Sequence, residues 1–382
     1  MVKQQNEYIK GLDTHLITTL SESIRDGWND FFLESAYCQN LIRFGKEEQT
    51  NYMGDLLNYF DDTVELLTQI PLKKDYQKAL FDTISVLQLM YIGQDLIDEL
   101  RLVFKMPASS GEGKMLIRTL RNELTGHPIS RDRGKNFISS VFLTRNSHGD
   151  VIEYLRYHKD DDYKAKVVRH SWSELVKIHE NYLVDNLNAI LAVLKVKLKR
   201  YQLQLDKFVA TFSNITFEGL VNRTDHLMES FFEHSALYSR TNLLYYFESH
   251  DIHPRYSFCT QLFTKELMSA ILETRENIIK FRREMVKSEI QVNNIVETKI
   301  VFSSSNGIST RSLSSLPNIR YQFSKLREKH PIFGIEFFIE TYGDDPELGA
   351  EILHMRDISS NDREFYCSYE YLRHLFSTRG LL

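Results

Sequence analysis

The sequence is organised around the stretch RTLRNELTGHPISR, residues 118–131. At 100° per residue, Ile117, Leu120 and Leu124 fall on one side of a helix, which predicts a helix over residues 114–125 with that side facing the core. Helical spacing places a polar group on a second side, about a third of a turn away, formed by Arg118, Arg121, Asn122 and Thr125. The stretch therefore predicts a helix that has one packing side and one polar, basic side.

The end of this helix is marked by the sequence Gly126-His127-Pro128. Glycine often ends a helix in the left-handed conformation, and we expect Gly126 to do so here. Pro128 cannot continue the helix. His127 is therefore expected just past the helix end, where it is free to fold back toward Arg121 and Asn122.

These residue types suit the cleavage of RNA without a metal ion. The 2′-hydroxyl of RNA can attack the adjacent phosphorus if protons are moved and the negative charge of the transition state is stabilised. Histidine titrates near neutral pH and serves as general base or acid. Arginine offers a planar fork of donors to phosphate oxygens, and asparagine can orient an imidazole or a phosphate oxygen.

The arrangement of Arg121, Asn122 and His127 resembles the HEPN superfamily. Nuclease members of that superfamily carry an arginine, four to six intervening residues and a histidine, often with a polar residue next to the arginine. The resemblance covers roughly residues 50–210. It implies a helical bundle, catalytic roles for these three residues, a homodimer whose two motifs share a cleft, and a metal-independent endoribonuclease from a toxin–antitoxin or phage-defence system.

Charge is distributed unevenly along a chain whose net charge is −5. Residues 1–100 hold 8 basic and 17 acidic residues, whereas residues 101–145 hold 9 basic and 3 acidic residues. The basic segment can attract a polyanion or dock on its own acidic neighbour, and the sequence leaves both readings open. If RNA binds, we expect the substrate-binding residues to be Arg118, Thr125, Arg131 and Arg133.

Two acidic residues upstream, Asp95 and Asp98, have two readings. They can orient Arg121 or His127, or they can form ordinary surface ion pairs. His250 and His253 are three residues apart without an evident third ligand, so we expect no metal site. We expect no cofactor either, because the sequence has no Gly-rich phosphate-binding loop.

The chain has no apolar segment long enough to cross a bilayer and begins without an apolar signal core. We therefore expect a cytoplasmic protein that does not enter membranes. The three cysteines are far apart in sequence, so reduced thiols in the core are expected rather than disulfides.

The sequence predicts a mainly α protein, with few prolines and glycines and long apolar stripes at helical spacing. The strand-like segments 137–144 and 151–158 predict a β-hairpin, at 137–158, inserted into the helical array. A long helix follows over residues 171–212, and three short helices are expected near 332–341, 346–356 and 361–377. The predicted regions are an N-terminal helical extension (1–50), a HEPN-like domain (51–212), a second helical domain (213–302), a Ser-rich linker (303–315) and a C-terminal region (316–382).

The leading hypothesis is a metal-independent endoribonuclease that acts as a homodimer on RNA, with a regulatory protein or antitoxin as a further partner. The alternative is a non-catalytic helical adaptor that binds RNA or protein through a degenerate HEPN-like domain. Incubation of RNA with excess EDTA separates the two, because only the nuclease cuts.

Overall fold

A computed structural model describes residues 12–33, 35–45, 51–69, 76–132, 136–143, 151–232, 236–290 and 319–382. These residues form a mainly helical protein with one small antiparallel sheet, so the predicted fold class is confirmed at this level. The chain divides into two compact units, Met1–Arg200 and Tyr201–Leu382. The predicted linker at 303–315 and the position Arg133 lie outside the described residues.

The first unit is built mainly on helices. They are α1 (Thr14–Gly27), α2 (Ala36–Asn40), α3 (Tyr52–Gln69), α4 (Tyr76–Val103), α5 (Glu112–Arg121) and, as far as Arg200, α6 (Trp172–Thr211). The Asp13 side chain caps α1 by accepting a hydrogen bond from the Leu16 amide at 3.0 Å. The apolar stripe of α3 is buried along its length, because Leu57, Phe60 and Val64 are at most 3% exposed.

The sheet of the first unit contains four antiparallel strands, β1 (Ile129–Asp132), β2 (Asn136–Phe142), β3 (Val151–Tyr157) and β4 (Lys166–Ser171), paired in that order. The predicted hairpin is confirmed as the central β2–β3 pair. The sequence missed the two outer strands, because β1 has only four residues and the KVVRHS segment of β4 carries too few apolar residues to stand out.

One side of the sheet packs on the motif helix. Ile152 and Tyr154 of β3 are buried with Leu120 and Leu124 in one apolar cluster that also receives Trp172 of α6. Burial of such side chains stabilises the fold by about 1.5–3 kcal/mol each. The apolar side of the motif helix is therefore fixed against the sheet, and its polar side is left for other contacts.

The second unit holds α7 (Phe217–Phe232), α8 (Arg240–Glu248), α9 (Pro254–Ile290), α10 (Ile319–Arg327), α11 (Phe337–Tyr342), α12 (Leu348–Asp357) and α13 (Asp362–Thr378). The three predicted tail helices correspond to α11, preceded by a π-helical turn at Pro331–Glu336, and to α12 and α13. The sequence missed α10. The three cysteines are buried and none forms a disulfide, as predicted.

Candidate functional site

The motif helix ends differently from the prediction. After α5 the chain widens into a π-helical turn over Asn122–Gly126, and the His127 amide donates to the Asn122 carbonyl at 2.8 Å. Among the described glycines, only Gly111 and Gly380 have positive φ, so the left-handed conformation predicted for Gly126 is wrong. A wider turn inserts one residue into the helix, a feature that is frequent at functional sites.

Steric crowding, and not a left-handed conformation, explains why residue 126 is a glycine. A Cβ atom built there would lie 2.8 Å from Nη1 of Arg121 and 3.4 Å from Oδ1 of Asn122. The first distance is below any normal carbon contact, so a larger residue would displace the guanidinium. Gly126 therefore leaves the space in which Arg121 lies over the end of its own helix.

Arg121 is held by three neighbours. Its Nε donates to Oε1 of Gln88 at 3.2 Å, and its Nη1 donates to Oδ1 of Asn122 at 3.1 Å. Its guanidinium carbon lies 4.7 Å from the centre of the Tyr91 ring, within cation–π range. The two adjacent motif residues are therefore in direct contact, and the guanidinium is oriented by α4.

Arg118 lies on the same tyrosine, with its guanidinium carbon 4.6 Å from the ring centre of Tyr91. It forms an ion pair with Asp95 and lies 3.9 Å from Asp98. Asp98 also accepts from Lys114 and Ser109. Burial pushes the pKa of Asp98 upward, but these hydrogen bonds outweigh it and leave that pKa below its ordinary value.

The two acidic residues of the upstream helix thus contact Arg118 and Lys114 among the described side chains. Within the described residues, neither Asp95 nor Asp98 forms a hydrogen bond or an ion pair with Arg121 or His127. The carboxylates hold Arg118, whereas Arg121 donates to the neutral side chains of Gln88 and Asn122. Arg121 consequently has the less neutralised guanidinium of the two.

Within the described part of the chain, the remaining predicted site residues are Thr125, His127 and Arg131. His127 is exposed and has left the helical conformation, with φ −143° and ψ 58°, so its imidazole is accessible. The Thr125 hydroxyl donates to the Arg121 carbonyl at 2.7 Å, a contact within the turn. Arg131 is exposed on β1, where it pairs in register with Phe137 of β2.

A residue inside the motif that the sequence did not single out, Glu123, ties the π turn to the sheet. The Tyr154 hydroxyl donates to its Oε2 at 2.7 Å, and Arg156 donates to its Oε1 at 3.2 Å. Arg156 in turn pairs with Asp161 at 2.7 Å. Burial, followed by the hydrogen bond to Glu123, raises the pKa of the Tyr154 phenol. Tyr154 and Arg156 are two residues apart and therefore lie on one side of β3. This spacing was the sequence signal that could have pointed to their shared contact with Glu123.

A second histidine lies next to this network. The His170 ring of β4 stacks on Tyr154 with ring centres 6.4 Å apart. Burial lowers the pKa of His170, and the charge of Glu123 partly offsets that effect. Burial thus favours the neutral form of the His170 imidazole.

Metal ligands do not accompany the motif within the part of the chain that the structure describes, since no group of three or more His, Cys, Asp or Glu side chains there could hold an ion. In the same part, no helix is long and apolar enough to cross a membrane. Comparison of the chain with protein-family models, curated proteins and solved structures found no match.

Proposed function

We propose that the chain is a metal-independent endoribonuclease whose site is the end of the motif helix. The observation that carries the proposal is the contact between Arg121 and Asn122, in the space left by Gly126, directly before an exposed His127. A fork of phosphate donors, an amide and an imidazole thus lie within seven consecutive residues at the helix end.

The reaction needs two proton transfers. A base removes the proton of the 2′-hydroxyl, whose oxygen attacks phosphorus, and the bond to the 5′-oxygen breaks as an acid protonates that leaving oxygen. The products are a 2′,3′-cyclic phosphate and a 5′-hydroxyl. We assign proton transfer to His127 and stabilisation of the charged phosphoryl oxygens to Arg121, with Asn122 holding that guanidinium in place.

A single imidazole cannot be the base and the acid in the same step, which favours a homodimer. A two-fold interface brings the same patch of each subunit together, so two copies of His127 would supply both groups in one groove. The repulsion between two basic patches would be relieved by RNA phosphates. Static light scattering should therefore show a dimer that RNA strengthens. A strict monomer at micromolar concentration, with and without RNA, would contradict the composite site.

The toxin or phage-defence role, and a regulatory protein or antitoxin as partner, rest on the HEPN resemblance alone. RNA as substrate also rests on the basic segment 101–145. Arg131 on β1 and the Arg118–Arg121 pair are the described cations of that segment nearest in sequence to His127. These residues are the expected contacts for substrate phosphates.

The deciding experiment is cleavage of a mixed RNA substrate in excess EDTA. Wild-type protein should cut and leave cyclic phosphate ends, whereas His127→Ala should not. His250→Ala, which removes an exposed histidine of the second unit, is the matched control and should cut normally. Loss of cutting on EDTA addition would contradict the metal-independent mechanism. RNA binding without any cutting would favour the adaptor.

A further inference from the structure

The second unit contains a cavity that is separate from the helix-end site. Its volume is about 460 Å³, within the range of pockets that hold small organic ligands. It lies between α10 and α13. The side chains that line it include Arg320, Phe323, Ser324, Arg327, Tyr369 and Arg373.

Three of the lining residues are arginines. Arg320 and Arg327 lie seven residues apart on α10, which is two helical turns and places them on one side of that helix. Arg373 enters from α13 and pairs with Glu370 at 3.0 Å. Within the described residues, neither Arg320 nor Arg327 has a carboxylate at ion-pair distance. Two guanidinium groups are therefore available to an anion from outside.

This concentration of positive charge is not a general property of the region. Residues 319–382 hold 8 Lys and Arg but 11 Asp and Glu, so the segment is net acidic. Nevertheless, three of the eight cations line one cavity. Its other lining residues have no acidic side chain and are Phe323, Ser324, Tyr369 and Leu382. A cavity of this composition selects for anions.

The floor of the cavity is apolar and rigid. Phe323 and Tyr369 are 3% and 5% exposed, and their rings meet edge to face with centres 6.0 Å apart. The Tyr369 hydroxyl donates to the Phe323 carbonyl at 3.2 Å, which fixes the phenol. The Ser324 hydroxyl adds a neutral polar group. An aromatic floor beneath arginine donors suits a ligand that has both a planar apolar part and phosphates.

We propose that this cavity binds a phosphorylated small molecule of nucleotide size, with its phosphates on Arg320, Arg327 and Arg373 and its planar part against Leu382 and the exposed edges of Phe323 and Tyr369. Arginine is suited to this because its planar fork matches phosphate oxygens in pairs. The proposal concerns the second unit alone and does not depend on the nuclease hypothesis. It assigns a ligand to a region for which the sequence suggested no role.

The test is isothermal titration calorimetry of the full chain with ADP, pyrophosphate and adenosine as probes. ADP should bind most tightly, pyrophosphate should bind more weakly because it lacks the planar part, and adenosine should not bind measurably. A charged hydrogen bond contributes about 1.5–3 kcal/mol, so Arg327→Gln should weaken ADP binding by about tenfold to hundredfold. Arg320→Gln should act in the same direction.

The matched control is Arg356→Gln, the same substitution at an exposed arginine that pairs with Asp357 outside the cavity. It should leave ADP binding unchanged, as should His127→Ala. Arg320 and Arg327 are exposed, so their variants should keep the wild-type circular dichroism spectrum. Equal ADP binding by wild type and an Arg320→Gln, Arg327→Gln double variant would overturn the proposal. Adenosine or pyrophosphate binding as tight as ADP, or no ADP binding at millimolar concentration, would overturn it as well.

Discussion

Two groups of similar residues differ in their surroundings. One is the helix end of the first unit, around Arg121, and the other is a buried cluster of the second unit, around Arg255. At the helix end, Arg121 is oriented by a neighbouring amide and a tyrosine beside an exposed histidine. In the second unit, Arg255 also contacts a histidine and a tyrosine, but it is only 6% exposed. The difference is solvent access to the guanidinium.

Each of the three guanidinium nitrogens of Arg255 has a partner within the second unit. It pairs with Glu351 at 3.2 Å, donates to the Ser368 hydroxyl at 3.0 Å and donates to Nδ1 of His253 at 2.9 Å. Burial raises the pKa of Glu351, and the charge of Arg255 opposes that effect. This cluster joins α9, α12 and α13 and is expected to act in stability.

Residue type alone therefore does not define a functional site. Loss of one member of a buried ion pair is costly, because the charge of its partner stays buried. A charge at a solvent-accessible helix end can exchange water for substrate at little cost. Function should therefore respond to changes at Arg121 and His127, and stability to changes at Arg255 and Glu351.

The substitution with the strongest predicted effect on RNA cleavage is at His127. His127→Ala should reduce RNA cleavage by about 10²–10⁴-fold, the usual contribution of a general acid or base. The melting temperature should not change, since the side chain is exposed. The measurement is the initial cleavage rate of a labelled RNA. Unchanged cleavage by a folded variant would remove His127 from the site.

Breaking the buried Arg255–Glu351 pair tests the predicted effect on stability. Glu351→Ala should lower the free energy of unfolding by about 3–5 kcal/mol, because Arg255 is left charged and buried. Asp357→Ala is the control, since its partner Arg356 is exposed and such pairs contribute less than about 1 kcal/mol. Urea unfolding followed by far-ultraviolet circular dichroism measures both. Equal losses in the two variants would contradict the argument from burial.

Arg121→Lys tests whether the helix end needs geometry or only charge. Lysine keeps the charge but loses the planar fork that holds Asn122, Gln88 and phosphate together. We expect cleavage to fall by about tenfold to hundredfold, the value of a charged hydrogen bond. Arg169→Lys, at an exposed arginine of β4, should cut at the wild-type rate. Full activity of Arg121→Lys would show that charge alone suffices.

The smallest expected effect compares two histidines of the first unit. His127 is exposed, whereas burial lowers the pKa of His179 to about 3. Neither ring nitrogen of His179 has a hydrogen-bond partner in the described structure. Folded His179 stays neutral while the unfolded chain takes up a proton below about pH 6.5, so stability is lost as pH falls through that value.

The expected loss is about 2 kcal/mol between about pH 7 and pH 5. Both tryptophans, Trp28 and Trp172, lie in the first unit, so urea unfolding followed by tryptophan fluorescence reports on the unit that holds His179. His179→Leu should flatten the pH dependence, whatever its effect on absolute stability. An equally steep dependence in that variant would assign the titration to another group.

Local features of this protein could be predicted from the sequence. Neighbours within a few residues decide the helix that carries Ile117 and Leu120, the β2–β3 hairpin and the position of His127 past the helix end. Periodicity, capping and turn chemistry act over that range. The short strand β1 and the helix α10 were missed because their patterns are too brief.

Tertiary structure alone decided which side chains meet. Gln88 and Tyr91 reach Arg121 from 30 or more positions away, as Tyr154 reaches Glu123. No local pattern encodes such contacts, because they depend on how separate elements pack around one core. The arginine cavity shows the same limit. Its cations come from two helices within a net acidic segment, so charge counting along the chain could not reveal it, whereas packing brought the guanidinium groups together.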